Sequence, residues 1–462
     1  MLIQYFVFVL GFLCSTIFAA SPAIHEYHLD NGLKLIVKED HRSPVVLSSI
    51  WYKVGGSYEH NGLTGISHVL EHMMFRGTTQ YPAGDLDRMI SSVGGQQNAM
   101  TTNDYTMYYQ LLPANQLALS FELEADRMQN LVIKQSDFNN EIQVVMEERR
   151  MRFDDNPQAL TWERFMAAAF VNNPYHHQTI GWMTDLENMT YQNVRDWYRT
   201  WYQPNNAIVV VVGDVDANQV LSLAKKYYGA IAKKAVPVLK PRTEIASLGT
   251  IRVNVQVPAN VPFLIMGYRM PTLATSKKAD QIYALDVLSS VLGGTNSSRL
   301  QNDLVRTAQL LSNVEVSYDA FELHGTALQI FVTPMAGKSI AECEAAILKE
   351  IQRIKTEKIS VDELERVKAQ MIASKVYGQD SVQEQAMLLG TPEMIGLPWF
   401  VGENYVEQIK RMTPEQVQQA AQRFLQNKAL TIAILHPEST AKQQPQQNLV
   451  PKNGDLYGKT VH

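Results

Sequence analysis

The stretch His68-Val69-Leu70-Glu71-His72 is the feature around which this chain of 462 residues is organised. Positions three and four apart share one face of an α-helix, so both imidazoles and the carboxylate project together. Two such imidazoles bind one Zn²⁺, and the carboxylate accepts a proton from a metal-bound water. The order H-x-x-E-H is the inverzincin pattern. It predicts a zinc site, although a helix that merely carries these residues has the same pattern.

A third protein ligand must come from elsewhere, and residues 141–148 (EIQVVMEE) offer candidates. On a helical wheel drawn at about 100° per residue, Glu148 lies beside Glu141, within a sector of apolar residues. The members of that sector are Val144, Val145 and Met151. Inward-facing carboxylates are costly unless they are paired or bind a cation. We predict Glu148 as the ligand and Glu141 as an assisting carboxylate. Pairing with nearby arginines is the alternative for both: Arg149, Arg150 or Arg152.

On these residues the chain resembles the pitrilysin/insulinase family of inverzincins, in particular its bacterial members of roughly 450 residues. It is also similar to the mitochondrial processing peptidase β subunit. The match covers nearly all of residues 24–437. Its most specific part is H-x-x-E-H with a glutamate 76 positions after the second histidine, here Glu148. The resemblance implies a zinc endopeptidase that acts on peptides or unfolded polypeptides. It implies one Zn²⁺ per chain on His68, His72 and Glu148. The implied catalytic residues are Glu71, as general base on a zinc-bound water, and Glu141.

Further residues are implicated by the same resemblance. Residues 94–99 (GGQQNA) resemble the family's substrate-edge segment, where a peptide adds to a sheet by main-chain hydrogen bonds. This implies that Asn98 and Ala99 bind substrate, with turn chemistry as the alternative for Asn98. The pair His176-His177 is interpreted as part of a loop rather than as ligands.

One part of the family's site is missing from this chain. Family members use an arginine and a tyrosine of the C-terminal copy to bind substrate and stabilise the oxyanion. Arg306 matches the arginine, but Asn313, seven positions on, stands where the tyrosine is expected. In several relatives a related second subunit supplies the pair. The resemblance therefore implies a heterodimer with such a subunit, with a homodimer as the fallback. The alternative function is a non-catalytic structural or peptide-holding subunit.

An internal repeat indicates the architecture. Residues 189–194 (MTYQNV), running into 207–212, match residues 412–417 (MTPEQV), running into 429–435, with one single-residue gap. The predicted fold class is α+β, with two homologous α/β-sandwich-like repeats, mainly antiparallel sheet packed with helices, that form half of a clamshell. The predicted boundaries are a catalytic zinc-binding repeat at 24–235, a linker at 236–247, a degenerate repeat at 248–437 and a polar tail at 438–462.

Composition and the N-terminal end limit the location and the partners. Residues 2–19 are apolar and lead into Ala19-Ala20-Ser21-Pro22, which predicts a signal peptide at 1–20 and export, in a bacterium to the periplasm. An uncleaved membrane anchor is the alternative. The net charge of −5, without a basic stripe, gives no reason to expect a nucleic-acid partner. Removal of the leader leaves Cys343 as the remaining thiol, expected to be buried.

Overall fold

The computed structural model describes residues 23–295 and 297–438. The predicted signal peptide at 1–20 and all but the first residue of the polar tail lie outside the described residues. None of the helices in the described ranges combines the length and the apolar character that a membrane span needs. Cys343 is buried, as expected.

The first copy of the repeat is built on a six-stranded sheet with the order β1-β2-β6-β3-β5-β4. Its strands are β1 (Ile24–His28), β2 (Lys34–Glu39), β3 (Val45–Tyr52), β4 (Gln96–Thr101), β5 (Thr106–Pro113) and β6 (Ala207–Gly213). Strands β2 and β6 run parallel, and the other neighbouring pairs run antiparallel. Strand β4 therefore forms one outer edge of this sheet.

The second sheet repeats this topology with five strands in the order β7-β11-β8-β10-β9. Its strands are β7 (Ile251–Pro258), β8 (Phe263–Met270), β9 (Leu311–Ser317), β10 (Thr326–Pro334) and β11 (Leu430–Glu438). The parallel pair is β7 with β11, the counterpart of β2 with β6 in the first sheet. The order matches the first sheet without β1, so β9 is the counterpart of the edge strand β4. The two sheets confirm the predicted duplicated α+β class.

Helices lie between the strands of both copies. Those of the first are α1 (Ile66–Met73), α2 (Asp85–Ser92), α3 (Leu117–Asn130), α4 (Gln135–Arg149), α5 (Pro157–Ala169), α6 (Met183–Asn188), α7 (Tyr191–Trp201) and α8 (Ala217–Tyr228). Those of the second are α9 (Ala279–Leu292), α10 (Ile340–Thr356), α11 (Val361–Gly378), α12 (Val382–Met394), α13 (Phe400–Glu403), α14 (Tyr405–Arg411) and α15 (Pro414–Phe424). The domain boundaries stay a prediction, but α8 ends and β7 begins on either side of the predicted linker.

The repeat seen in the sequence extends to local detail. Thr190 and Thr413 each form a capping box at the start of a helix, and the helices α7 and α15 have the same length. A 3₁₀ turn follows each helix, at Pro204–Asn206 and at Asn427–Ala429. Strands β6 and β11 begin directly after these turns. The alignment therefore runs through without a break, and the single-residue gap in the sequence comparison was wrong.

The two copies are locked together by an exchange of helices. Helix α5 of the first copy packs on β7, β8 and β11, while α12 of the second copy packs on β3 and β6. Each contact includes a glycine against an aromatic ring, Gly267 against Phe165 and Gly390 against Trp51. Burial of apolar side chains between the copies is the dominant favourable term for such packing. Each copy therefore covers one face of the other copy's sheet with a helix of its own.

The Trp51–Gly390 contact makes a stability prediction. A Cβ atom added at Gly390 would lie 2.5 Å from a carbon of the fully buried Trp51 ring. We expect Gly390→Ala to lower the free energy of unfolding by about 1–3 kcal/mol, the usual cost of overpacking a core. Urea denaturation of the full chain measures this change.

Gly249 is the matched control for this substitution. It lies just before β7, after the predicted linker, and a Cβ atom there would meet nothing within 4 Å. Gly249→Ala should leave stability unchanged or slightly higher, because alanine restricts the unfolded chain. Equal stability of the two variants would contradict the close packing of α12 on the first sheet.

Candidate metal centre

Helix α1 carries the H-x-x-E-H motif and is buried along its whole length. It begins after Gly65, which has a φ of 88°. That left-handed conformation favours glycine, and a Cβ atom there would also overlap the carbonyl oxygen of Ile180. The helix ends at Met73, and Gly77, with a φ of 93°, follows four residues later.

The structure brings His68, His72 and Glu148 together. The Nε2 atoms of His68 and His72 lie 3.6 Å and 3.5 Å from Oε2 of Glu148. The two imidazole rings meet edge to face, with their centroids 4.8 Å apart. Among the described residues this is the one group of three potential ligands whose donor atoms all lie within 4.8 Å of one another. Two imidazoles and a carboxylate are a donor set that zinc accepts in catalytic sites.

Electrostatics in this cluster keep Glu148 ionised. Burial opposes its ionisation, but the hydrogen bond with His72 and the positive charges around it lower the pKa of Glu148 to about 2. Burial likewise disfavours a charged His72, yet its hydrogen bonds with Glu141 and Glu148 raise the pKa of His72 to about 9. The carboxylates of Glu141 and Glu148 therefore stabilise positive charge at His72, as they would stabilise a bound cation.

Glu141 lies behind His72 as seen from Glu148. Its Oε2 is 3.3 Å from Nδ1 of His72, and Arg76 forms an ion pair with its other oxygen. A carboxylate on the second nitrogen of an imidazole sets the orientation of the ring and raises its basicity as a ligand. Glu141 is therefore placed to orient His72, and its role as an assisting carboxylate stays a prediction.

The helical-wheel argument for Glu148 holds only in part. Val145 is buried as expected, but Val144 and Met151 are 48% and 66% exposed, so Glu148 lies at the margin of the buried face. Helix α4 also ends at Arg149 and continues as a π-helical turn, Arg150–Asp154, which shifts the phase of the residues beyond it. The apolar sector expected around Glu148 was therefore wrong at two of its three members.

The alternative partners of these carboxylates are also resolved. Arg152 does pair with Glu148, at 2.8 Å from its Oε1 atom, which leaves Oε2 facing the histidines. Arg149 instead bonds to Glu163 and to the carbonyl oxygen of Gly181. Arg150 pairs with the exposed Glu147.

Glu71 is buried beside the cluster and has a partner that sequence reasoning missed. The Thr101 hydroxyl donates to Glu71 Oε2 at 2.5 Å. Thr101 is the last residue of β4, two positions after Ala99, and both are buried. The alternation of a β-strand was the available signal, since it places Thr101 on the inward face together with Ala99.

Thr101 provides a test of how Glu71 is held. Thr101→Val keeps the shape but removes the donor, and a hydrogen bond to a charged group contributes about 1.5–3 kcal/mol. We expect kcat/KM for a peptide substrate to fall about 10-fold to 100-fold as Glu71 loses its orientation. Thr101→Ser retains the hydroxyl and should stay close to the unaltered chain. Equal rates for the valine and serine variants would contradict this role.

Two of the predicted substrate-binding residues lie on an edge strand, and the third lies in a helical segment. Asn98 and Ala99 lie on β4, and the Asn98 side chain accepts from the backbone N–H of Ala99 at 2.8 Å. Arg306 lies in the π-helical segment Gln301–Thr307 and donates to Asn302. Asn313 is on β9, the counterpart edge in the second sheet. That these residues bind substrate stays a prediction.

The interpretation of His176 and His177 as loop residues agrees with the structure. His176 ends a short 3₁₀ turn, Pro174–His176, and its ring contacts the carbonyl oxygen of Asn173. Burial lowers the pKa of His177 to about 4, and its Nδ1 contacts the carbonyl oxygen of Gln178. Neither belongs to the group of potential ligands.

Comparison with known proteins fits this geometry. The model of the family described as Insulinase (Peptidase family M16) matches residues 34–181, and that described as Peptidase M16 inactive domain matches residues 188–371. The zinc protease PqqE of Helicobacter pylori is 33% identical over 380 residues, which cover 79% of this chain and 82% of that protein. The chain belongs to the M16 peptidase family. The first M16 match contains His68, Glu71, His72 and Glu148.

Solved structures of the M16 family share the fold. The crystal structure of a protease from Helicobacter pylori has a TM-score of 0.85 and 29% identity, and the match covers 90% of this chain and all of that one. This likeness confirms the half-clamshell arrangement. The periplasmic protease PqqL of Escherichia coli has a TM-score of 0.73 and 19% identity, with 93% of this chain matched to 52% of that one. The PqqL chain is thus about twice as long as this M16 chain.

Proposed function

We propose that this chain is a zinc-dependent endopeptidase that hydrolyses peptides or unfolded polypeptides and holds one Zn²⁺. The observation that carries the proposal is the convergence of His68, His72 and Glu148 beside a buried Glu71. A structural protein would gain nothing from these groups, because buried ionisable side chains cost stability unless they are used. The zinc protease PqqE, related over most of the chain, supports the same metal and reaction.

The residues fit zinc better than a harder cation. Imidazole suits zinc and similar transition metals, while magnesium and calcium prefer sites made of oxygen ligands. His68, His72 and Glu148 would be the three protein ligands, with Glu141 and Arg76 keeping the His72 ring in place. When bound, the ion would polarise the scissile carbonyl and lower the pKa of a coordinated water.

The chain's own groups would perform the proton transfers and the positioning. Glu71 would accept a proton from the attacking water and deliver it to the nitrogen of the leaving amine, as a general base and then a general acid. Thr101 would hold Glu71 Oε2 during both transfers. The free edge of β4 would align the peptide by main-chain hydrogen bonds through Asn98 and Ala99, a mode that tolerates many sequences.

A second M16 subunit would complete the active enzyme. Asn313 stands in place of the expected tyrosine, so we propose a heterodimer whose related partner carries the arginine and tyrosine pair, with a homodimer as the fallback. The match of this chain to about half of PqqL is consistent with two such units around one site. We further propose export through residues 1–20, to the periplasm in a bacterium.

A non-catalytic structural or peptide-holding subunit is the second candidate. The family model described as an inactive domain matches residues 188–371, and the tyrosine is missing. This candidate predicts peptide binding without cleavage, whether or not a partner is present.

One experiment separates the two functions. The purified chain is analysed for zinc and is incubated with a quenched fluorescent peptide library, alone and with a related subunit that carries the arginine and tyrosine pair. The endopeptidase proposal expects one zinc per chain and cleavage, with faster cleavage when the partner is present. Zinc binding without cleavage in either condition would favour the peptide-holding role. Strong cleavage by the chain alone would remove the need for the partner.

A further inference from the structure

The N-terminal end of helix α1 is held by a carboxylate from outside the helix. Gly65 precedes the helix and has no side chain to cap it. Glu59 takes over this task, because its two carboxylate oxygens accept from the backbone N–H groups of Gly65 and Ser67 at 2.7 Å and 2.8 Å. Side-chain oxygens that accept at a helix N-terminus satisfy backbone N–H groups that have no partner within the helix. Ser67 immediately precedes the first histidine of the motif.

Burial of the Glu59 carboxyl group costs folding free energy. Its side chain is fully enclosed, with 1% of the residue exposed. Burial raises the pKa of Glu59 to about 8, although both backbone hydrogen bonds act in the opposite direction. A buried carboxyl group is costly unless its hydrogen bonds are fully used. The two backbone hydrogen bonds therefore fix the Glu59 side chain against the first turn of α1.

The segment that carries Glu59 is in turn bound by the linker between the two copies. Arg242 donates from Nη2 to the carbonyl oxygen of Ser57 and also to that of Glu59, the latter at 3.3 Å. The Arg242 side chain thus crosses from the linker to the residues that cap α1. The hydroxyl of Ser57 donates to the buried Asp104 at 2.9 Å, which fixes the same segment from the other side.

The linker is itself anchored next to Arg242. One carboxylate oxygen of Glu244 accepts from three successive backbone N–H groups, those of Val171, Asn172 and Asn173, at 2.9–3.1 Å. The other oxygen lies 3.4 Å from Arg269 on β8 of the second copy. The predicted linker therefore contacts both copies. Glu244 connects it to β8 of the second copy, and Arg242 connects it to the residues that cap α1.

We propose that Glu59 and Arg242 are positioning residues that couple the placement of the C-terminal copy to the geometry of the His68–His72 metal centre. This inference rests on the proposed function, since it assigns two further residues to that site. Arg242 holds the backbone of Ser57–Glu59 in place, and Glu59 sets the first turn of α1. Both imidazoles and Glu71 move with that turn, because they lie within the next two turns of the same short helix.

The test uses two variants in the full chain, with matched controls. In Glu59→Gln an NH₂ group replaces one of the two accepting oxygens. A donor then faces a backbone N–H, and one of the two hydrogen bonds is lost. Arg242→Gln removes the charge that reaches Ser57, and Arg242→Lys keeps it. The controls are Lys240→Gln, an exposed position in the same linker, and Glu147→Gln, an exposed glutamate next to Glu148.

Three readouts are needed. Zinc affinity is measured by chelator competition, kcat and KM are measured with one peptide, and hydrogen exchange of the Gly65 and Ser67 amides is followed in the zinc-free chain. We expect both glutamine variants to bind zinc about 10-fold more weakly, as for other residues that orient ligands. They should exchange these amides faster and lose kcat with little change in KM. Arg242→Lys should recover most of the affinity, and the controls should match the unaltered chain.

The outcomes separate this inference from the proposed function. If the unaltered chain binds no zinc, the proposed function fails and the inference fails with it. If the unaltered chain binds zinc and both glutamine variants bind it equally well, with equal amide exchange, the coupling is refuted while the proposed function stands. Weaker zinc binding in Arg242→Gln with unchanged exchange of the Gly65 and Ser67 amides would also refute it, because the effect would then not pass through the first turn of α1.

Discussion

Glu71→Gln is expected to keep zinc bound and to lower kcat/KM about 1,000-fold, within the range of about 10²–10⁴ that general acid–base catalysis contributes. The side chain is buried beside the ligand cluster and is not one of the three clustered ligands. Glutamine has nearly the same shape and can still accept from Thr101, but it cannot take up a proton at neutral pH. Turnover with a quenched peptide and zinc analysis of the same preparation measure the two effects together.

Glu147→Gln is the control for this experiment. Glu147 is exposed and pairs with Arg150, so its loss removes one negative charge without touching the site. Its kcat/KM should equal that of the unaltered chain. Normal turnover in Glu71→Gln would exclude Glu71 as the base, even with zinc fully bound.

Glu148→Gln is expected to weaken zinc binding about 100-fold or more. Loss of a residue that only orients a ligand weakens metal binding by about 10-fold to 100-fold, and loss of a ligand should cost at least as much. Its Oε2 faces both imidazoles, and the amide would lose the charge that balances the cation. Loss of activity should follow the loss of metal, and excess zinc should restore part of it. Equal zinc affinity in Glu148→Gln and Glu147→Gln would show that the third ligand lies elsewhere.

The metal cluster was predictable because its strongest constraint is local. Helix periodicity alone places His68, Glu71 and His72 on one side of α1, whatever the rest of the chain does. The third ligand needed a residue far away in the chain, and the wheel selected Glu148, which the structure places beside both histidines, with a partly wrong environment. Val144 and Met151 are exposed, which a wheel cannot detect because it contains no information about which neighbours cover each face.

Contacts between distant segments were outside the reach of the sequence. Thr101 contacts Glu71 only because β4 lies beside α1, and Arg242 reaches Ser57 across 185 residues of chain. The exchange of α5 and α12 between the copies is of the same kind. Gly390 gives no sign in the sequence that the ring of Trp51 lies against it. Such pairings depend on the register and packing of the whole fold, which period-based reasoning does not supply.

The repeat, unlike these long-range contacts, was predictable because its signals are local. Capping residues act within one turn of a helix, so Thr190 and Thr413 mark equivalent starts in both copies. The short turns before β6 and β11 then place each strand directly. The sequence comparison needed a gap only because the residues of these turns differ, whereas their lengths are equal.

Crystals grown with zinc, and diffraction data collected on both sides of the zinc absorption edge, test the central claim most directly. We expect one anomalous peak per chain, bounded by Nε2 of His68, Nε2 of His72 and Oε2 of Glu148, with Glu71 adjacent and not in contact with the ion. A fully occupied peak at any other place, or no peak between these three side chains in zinc-saturated crystals, would contradict the proposed metal centre.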